Sequence, residues 1–136
     1  MEIFYTVLSG TLVYVLGQLF SKFIIDPIHK QKEVIGEIAD TLIYYENIFG
    51  VHNSKNNDSD EAMNRFRSLS TKLISKTYLI PFYAFFEKMH IVKSLVKIKN
   101  AHTSLIGLSN SVYGGKGFKC EFIDKRYEEI RDSLGI

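Results

Sequence analysis

Apolar side chains follow one another almost without a break from Ile3 to Ile25. No Asp, Glu, Lys or Arg stands between Glu2 and Lys22. A helix of this length, rising about 1.5 Å per residue, crosses a hydrocarbon core of roughly 30 Å. A cleaved signal peptide is the alternative, but the chain begins without a basic segment and has no small-residue cleavage site before its polar part. The pattern predicts an uncleaved transmembrane segment over residues 1–26.

Lysines are distributed unevenly around this segment. Lys22, Lys30 and Lys32 follow it closely, whereas the short N-terminal flank contains no Lys or Arg. Basic flanks of a membrane span remain on the cytoplasmic side. We therefore expect a single span with the N-terminus outside and residues 27–136 in the cytoplasm.

Small and polar residues collect on one face of the predicted span. A projection at about 100° per residue places them on less than half of the helix circumference. This polar stripe consists of Thr6, Gly10, Thr11, Tyr14, Gly17, Gln18, Ser21 and Lys22. Small residues four positions apart let a second helix approach closely in lipid, and a glutamine inside the span needs a partner or water. The stripe favours a homo-oligomer.

Two further interpretations of the polar stripe remain open. Gln18 and Ser21 can line a pore that Tyr14 narrows and Lys22 borders at the cytoplasmic mouth, or Gln18 can bond to its own copy across a closed dimer. Glycine is also common in membrane helices, so the pattern can arise by chance. We expect self-association through the stripe, with a pore as the further hypothesis.

Beyond the span, apolar residues recur every three to four positions in four stretches, the period of an amphipathic helix. The expected helices cover residues 27–49, 58–80, 94–113 and 119–134. The second is expected to turn Phe66, Leu69, Leu73, Ile74 and Tyr78 inward. The sequence thus predicts an all-α fold, with one transmembrane helix followed by a cytoplasmic bundle of about four helices over residues 27–136.

Asp26 and Pro27 separate the predicted span from this bundle. An aspartate can cap the start of a helix, and a proline fits its first position because no N–H is needed there. We therefore expect a new helix to start here. These two residues are the candidate hinge between span and body.

Residues 80–89, IPFYAFFEKM, form the densest aromatic cluster of the chain. Short aromatic helices after a proline most often fill a core, because each ring buries a large apolar area. We therefore expect this segment to be a core plug. A cofactor box and a wedge at the membrane surface are the alternatives.

The formal net charge of +2 is too small to indicate nucleic-acid binding by itself. Basic residues nevertheless recur on the body helices, where an oligomer can combine them into a groove for an anionic ligand such as short single-stranded DNA or a nucleotide. The candidates are Arg65, Arg67, Lys72, Lys76, Lys93, Lys97, Lys99, Lys116 and Lys119. A solvated face balanced by acidic residues elsewhere is the alternative.

The sequence contains no recognised catalytic or metal-binding pattern. The four histidines lack the spacing of a zinc site. The glycine-rich stretch NSVYGGKGFK has Asn110 and Gly117 where a Walker phosphate loop needs glycine and Ser or Thr. The single cysteine, Cys120, cannot form an internal disulfide. We expect a protein that is not an enzyme and that uses no metal or cofactor.

Three stretches carry a resemblance over nearly the full chain: LVYVLGQLFSKFIIDPIHKQKEVIGEIADTLIYYENIF, IPFYAFF and LIGLSNSVY. They resemble a group of small bacterial membrane proteins with one N-terminal span and a cytoplasmic helical body. In layout the chain is also similar to the membrane effector of Hailong-type antiphage defence. That resemblance implies a tetrameric channel in the bacterial inner membrane. It also implies a site on the cytoplasmic body for short DNA oligomers, which a nucleotidyltransferase partner makes and which hold the channel closed.

Two main function classes follow from these observations. An oligomeric inner-membrane effector would form a gated pore or disrupt the membrane in antiphage defence, under the control of a ligand or partner bound to the body. A non-catalytic, membrane-anchored adaptor or scaffold would instead recruit a cytosolic partner, and a receptor-like subunit of a larger transporter is a third class. The polar stripe favours the effector, because an anchor does not need one.

Overall fold

The computed structural model describes residues 1–50, 57–111 and 120–136. In these ranges the regular elements are all helical, and they contain no strand. The elements are α1 (Glu2–Phe20), a π-helical turn (Ser21–Ile25), α2 (Asp26–Gly50), α3 (Asn57–Tyr78), α4 (Tyr83–Lys88), α5 (Leu95–Ser111) and α6 (Cys120–Leu134). The predicted all-α class, with a long apolar N-terminal helix and a body of about four helices, is confirmed.

The N-terminal helix extends away from the body. Its apolar part is long enough to cross a membrane: the most apolar window has a mean hydropathy of 1.6, and none of it is buried by the rest of the chain. Every residue of α1 is exposed. Apolar side chains without protein neighbours require another apolar environment, because leaving them in water is unfavourable. By its length and composition, this helix is the candidate membrane span among the described residues.

The helix continues through Asp26 and Pro27 without ending. Asp26 has helical dihedral angles, φ −58° and ψ −45°, and its backbone N–H donates to the carbonyl oxygen of Ser21, five residues back. α2 thus begins at Asp26 as expected, but as a continuation of the preceding helix, so the predicted capping role of Asp26 is wrong. Pro27 lacks the N–H that a regular helix would direct at residue 23, and the wider π-turn Ser21–Ile25 takes up this irregularity just before it.

The body is an up-and-down bundle of α2, α3, α5 and α6. Gln31 near the start of α2 contacts Thr77 near the end of α3, whereas the Tyr45 and Phe66 rings at the opposite ends lie 5.7 Å apart. Consecutive long helices are thus antiparallel. The start of α2, the end of α3, α4, the start of α5 and the end of α6 meet beside the span, and we call this region the span-proximal end.

Among the residues that the structure describes, fifteen buried side chains form the main core of the bundle, and they come from all four long helices. Burial of each large aliphatic or aromatic side chain contributes about 1.5–3 kcal/mol. The inward positions predicted on α3 are confirmed for Phe66, Leu69 and Leu73, and Ile74 packs against them. Tyr78 is a correction, because its side chain is 69% exposed and Thr77 occupies the inward position instead.

A second, smaller core lies at the span-proximal end. Ile28, Ile80, Phe86 and Val92 are buried together, and Ile24 and Tyr83 pack against them. This cluster fastens α4 and its flanking turns to the helix that emerges from the span. The expected core plug is therefore only partly right, because Phe86 is buried while Phe82 and Phe85 are exposed.

Candidate functional site

The polar stripe of α1 is open along its length in the single chain. A Cβ atom added at Gly10 or at Gly17 would meet nothing within 4 Å. The hydroxyl of Thr6 donates to the carbonyl oxygen of Glu2 at 3.0 Å, and that of Thr11 donates to Val7 at 2.9 Å. Each hydroxyl proton is thus already hydrogen-bonded within its own helix, so a second helix can approach without burying an unpaired O–H.

Gln18, Tyr14 and Lys22 carry the polar groups that face outward from the stripe. All three side chains are exposed, and Ser21 is half-buried where the π-turn begins. The Gln18 amide has no hydrogen-bond partner within the described part of the chain. In a lipid environment an unpaired amide is costly, so it requires a second chain or water.

The open face continues from the span onto α2. Gly36 also has nothing within 4 Å of an added Cβ, and Ile43 is 64% exposed. Gly36 follows Gly17 by 19 residues. The π-turn between them holds about one residue more than a regular helical turn, so the rotation from Gly17 to Gly36 equals that of about 18 regular residues, or five full turns. Gly17 and Gly36 therefore lie on one line. The π-turn keeps the open face of the span in register with the side of α2 that the bundle leaves uncovered.

A buried glutamine joins three elements at the span-proximal end. Gln31 is 1% exposed, and its Nε2 donates to the Thr77 hydroxyl at 2.8 Å and to the Tyr83 hydroxyl at 3.2 Å. Thr77 in turn donates to the Leu73 carbonyl at 2.7 Å, and Tyr83 to the Lys93 carbonyl at 2.5 Å. Burial raises the pKa of Tyr83, which keeps its hydroxyl neutral and able to donate.

Sequence analysis did not identify this glutamine, because a polar residue between apolar positions is normally assigned to the solvent face. Its inward position follows from its neighbours, Ile28 and Val34, which are buried three residues before and after it. Spacing of three on a helix places all three on one side. This regularity is the signal by which Gln31 could have been identified.

A cleft of about 700 Å³ opens beside the glutamine. Lys32, Lys93 and Lys97 line it together with His90, and Glu87 is the acidic residue among its walls. The Glu87 carboxylate accepts the backbone N–H of Leu95 at 3.4 Å. The structure therefore brings two of the predicted anion-binding residues, Lys93 and Lys97, into one basic cleft.

The remaining basic candidates lie elsewhere. Arg67 donates to Asn110 on α5 at 3.0 Å, whereas Lys72 lies 3.2 Å from the Glu37 carboxylate on α2. The two residues therefore face different neighbours of α3. The described candidates outside the cleft are Arg65, Arg67, Lys72, Lys76 and Lys99, and Lys116 and Lys119 fall outside the described residues. Their combination into a groove between subunits stays a prediction.

Other polar contacts connect helices inside the body. Ser70, which is fully buried, lies 2.6 Å from Nδ1 of His102 and links α3 to α5. Ser104 donates to Glu129 at 2.7 Å, and Arg126 binds the same carboxylate at 3.1 Å, linking α5 to α6. Among the described residues, no group of three or more His, Cys, Asp or Glu side chains has the arrangement of a metal site.

Comparison of the sequence with protein-family models and with curated proteins, and of the fold with solved structures, finds no match. Function therefore has to be inferred from the chain's own residues. Two features stand out: the open stripe along the span and the polar and basic span-proximal end to which it leads.

Proposed function

We propose that this protein is a homo-oligomeric effector of the bacterial inner membrane, in which the spans form a gated pore and the cytoplasmic body controls them. One observation carries the proposal. A single uninterrupted helix bears an open stripe of small and polar residues from Gly10 through Gly17 to Gly36. Within a bilayer such a face needs a partner, and a second copy of the chain offers the same face in return.

The chemistry of the stripe supports a pore within this oligomer. Gln18 offers both a hydrogen-bond donor and an acceptor to water or ions. Tyr14, one turn toward the N-terminus, supplies a ring large enough to narrow the centre, and Lys22 lies at the expected cytoplasmic mouth. Three to five copies, on the order of a small helical ring, are needed to enclose a lumen.

The body supplies control because α2 is both the continuation of the span and a core helix of the bundle. A ligand or partner that shifts the body therefore acts on the span directly. The basic cleft with Lys93 and Lys97 is a ligand site for an anion such as short single-stranded DNA or a nucleotide. The resemblance in layout to a Hailong-type effector adds antiphage defence as the biological setting.

A potential-sensitive dye in cells tests this function. Cells that express the wild-type chain are expected to lose membrane potential under inducing conditions, including phage infection, whereas a chain lacking residues 1–25 leaves it intact. Gln18→Leu is expected to abolish or strongly reduce the loss, because it removes the polar group from the lumen. Ser9→Leu is the matched control, since Ser9 lies outside the stripe and its hydroxyl donates to Thr6 of its own helix.

The outcomes separate the two function classes. Depolarisation that requires Gln18 but not Ser9 supports the pore. An intact potential in wild-type cells under every inducing condition contradicts it, and the membrane-anchored adaptor or scaffold then takes its place. Equal depolarisation by the wild type and by Gln18→Leu would show that the stripe does not line a pore.

A further inference from the structure

Several large apolar side chains around α4 are exposed although the helix itself is fastened to the body. Leu79 is 56% exposed, Phe82 78%, Phe85 58% and Met89 54%. Phe82 and Met89 flank α4 directly at its two ends, and Phe85 lies within the helix. We call these four residues the apolar patch. Exposed apolar groups that adjoin one another mark a binding surface for a protein or a membrane.

The position of the patch relative to the span indicates its partner. Ile24 and Ile28 on the emerging helix pack against Ile80, Phe86 and Val92, which flank or belong to α4. If the hydrocarbon region ends near Phe23, Ile28 lies only about 7 Å beyond it. The headgroup layer on each side of a bilayer is roughly 5–8 Å thick. The contacts with the span therefore hold α4 at the depth of the lipid headgroups.

The charge distribution agrees with this position. Seven lysines and three carboxylates fall within residues 22–33 and 76–97, which make up most of the span-proximal end. The chain as a whole has a net charge of only +2, so its positive charge is concentrated in this region. Anionic lipids attract basic residues that lie close to the membrane surface. Aromatic rings and lysines together are the composition of an interfacial membrane segment.

The backbone of the patch is also unusual. Phe82 has φ 51° and His90 has φ 59°, so a left-handed residue stands at each end of α4. This conformation is sterically unfavourable for a residue with a Cβ atom, and more so for a bulky one. Phe82 thus combines an unfavourable backbone conformation with an exposed side chain. Contact of that ring with lipid would compensate for its exposure.

We propose that the apolar patch inserts into the headgroup region of the bilayer that the span crosses, as a second membrane contact of the same chain. Its partner is an anionic membrane surface. This inference rests on the proposed function only in requiring the span to be in the membrane. The patch then holds the body against the bilayer at a fixed distance from the span.

The absence of tryptophan from the sequence allows a direct test. Single tryptophans are introduced by Phe82→Trp and by Phe85→Trp into the full chain. Each variant is reconstituted into vesicles of phosphatidylcholine and phosphatidylglycerol, with or without bromine on the upper part of the lipid acyl chains. Both variants are expected to emit at blue-shifted wavelengths and to lose most of their fluorescence in the brominated vesicles.

Two further single-tryptophan variants serve as controls. Tyr44→Trp replaces an aromatic residue that is 69% exposed on α2, about 30 Å along the helix from Phe23, and is expected to keep its fluorescence in brominated vesicles. Phe20→Trp reports on the span itself and is expected to be quenched. The exposure of Tyr44 matches that of the patch residues, so these variants differ chiefly in their distance from the bilayer.

The controls separate failure of this inference from failure of the proposed function. If Phe20→Trp is quenched and the patch variants are not, the span is inserted and the inference is overturned. If Phe20→Trp also escapes quenching, the span is not in the membrane, and both fail. A blue-shifted but unquenched patch tryptophan would show that protein, such as a second copy of the chain, covers the patch, and would overturn the inference. Quenching of Tyr44→Trp as strongly as the patch variants would overturn it too, because the contact would not be specific.

Discussion

Replacement of Gln31 by leucine tests whether this buried glutamine joins the emerging helix to the span-proximal end. Leucine has nearly the volume of glutamine, so the change leaves little cavity and removes two hydrogen bonds, to Thr77 at 2.8 Å and to Tyr83 at 3.2 Å. Each neutral hydrogen bond contributes about 0.5–1.5 kcal/mol. Both partners retain another bond. We therefore expect Gln31→Leu to lower the free energy of unfolding by about 1–3 kcal/mol.

The assay is thermal unfolding of the full chain in detergent micelles, followed by circular dichroism at 222 nm. For a body of this size, a loss of 1 kcal/mol lowers the midpoint by about 4 °C. Hydrogen exchange in residues 80–92 is expected to speed up, because α4 loses a bond to α2. Lys30→Leu is the control: Lys30 is exposed and adjoins Gln31, so its replacement should change stability by no more than about 0.5 kcal/mol.

A double-mutant cycle isolates the shorter of the two bonds. Thr77→Val removes the hydroxyl that Gln31 contacts, and the two changes together are expected to cost less than the sum of the single changes, by about 0.5–1.5 kcal/mol. Additive effects would show that these residues do not interact. A Gln31→Leu chain with the unfolding midpoint of the wild type would refute the role assigned to the glutamine.

Three further predictions concern assembly, ligand binding and pH. Gly10→Leu combined with Gly17→Leu should reduce the oligomer mass measured by light scattering in detergent, because the larger side chains block close helix approach, and an unchanged mass would exclude this interface. Lys93→Gln combined with Lys97→Gln should weaken the binding of short single-stranded DNA measured by fluorescence anisotropy. The slope of the logarithm of the binding constant against the logarithm of the salt concentration should become shallower by about 0.7 for each lost phosphate contact. A wild-type chain without salt-sensitive binding would exclude nucleic acid as a ligand. Burial raises the pKa of Tyr127 above its ordinary value of 10.0, so the folded state binds the phenolic proton more tightly than the unfolded chain. Stability measured by denaturant unfolding should therefore fall as pH rises above about 10, and less steeply in Tyr127→Phe; an equal fall in both chains would contradict this assignment.

The helices of the body could be predicted because their periodicity is strong. The stretch 27–49 corresponds to α2, Asp26–Gly50, and the stretch 119–134 to α6, Cys120–Leu134. In each case apolar residues at a helical spacing have to face a common core.

Local chemistry was less informative where the surroundings decide the outcome. The aromatic cluster of residues 80–89 predicted a core plug, but α4 has only six residues and can turn one side toward the body. Phe86 occupies that side, and Phe82 and Phe85 are left outside. Sequence analysis also missed the π-turn before Pro27, because an Asp-Pro pair is typical of the start of a new helix. The candidate pore, hinge and ligand residues stay predictions, since their roles depend on a second chain, a membrane or a ligand.

The packing of the emerging helix restricts where a gating motion can occur. From Ile24 onward the helix is held by the body, first by the small core around Ile28 and then by the hydrogen bonds of Gln31. Rotation of the helix at Asp26 and Pro27 would move Ile24, which precedes that point, away from the small core, whereas Ile28 would stay with the body. The π-turn Ser21–Ile25 begins before these contacts, and a π-turn changes the rotation of a helix when it shifts along the chain. The first residues of this π-turn precede Ile24, so the turn is a second candidate for the hinge beside Asp26 and Pro27, and it follows Gln18 closely in the chain.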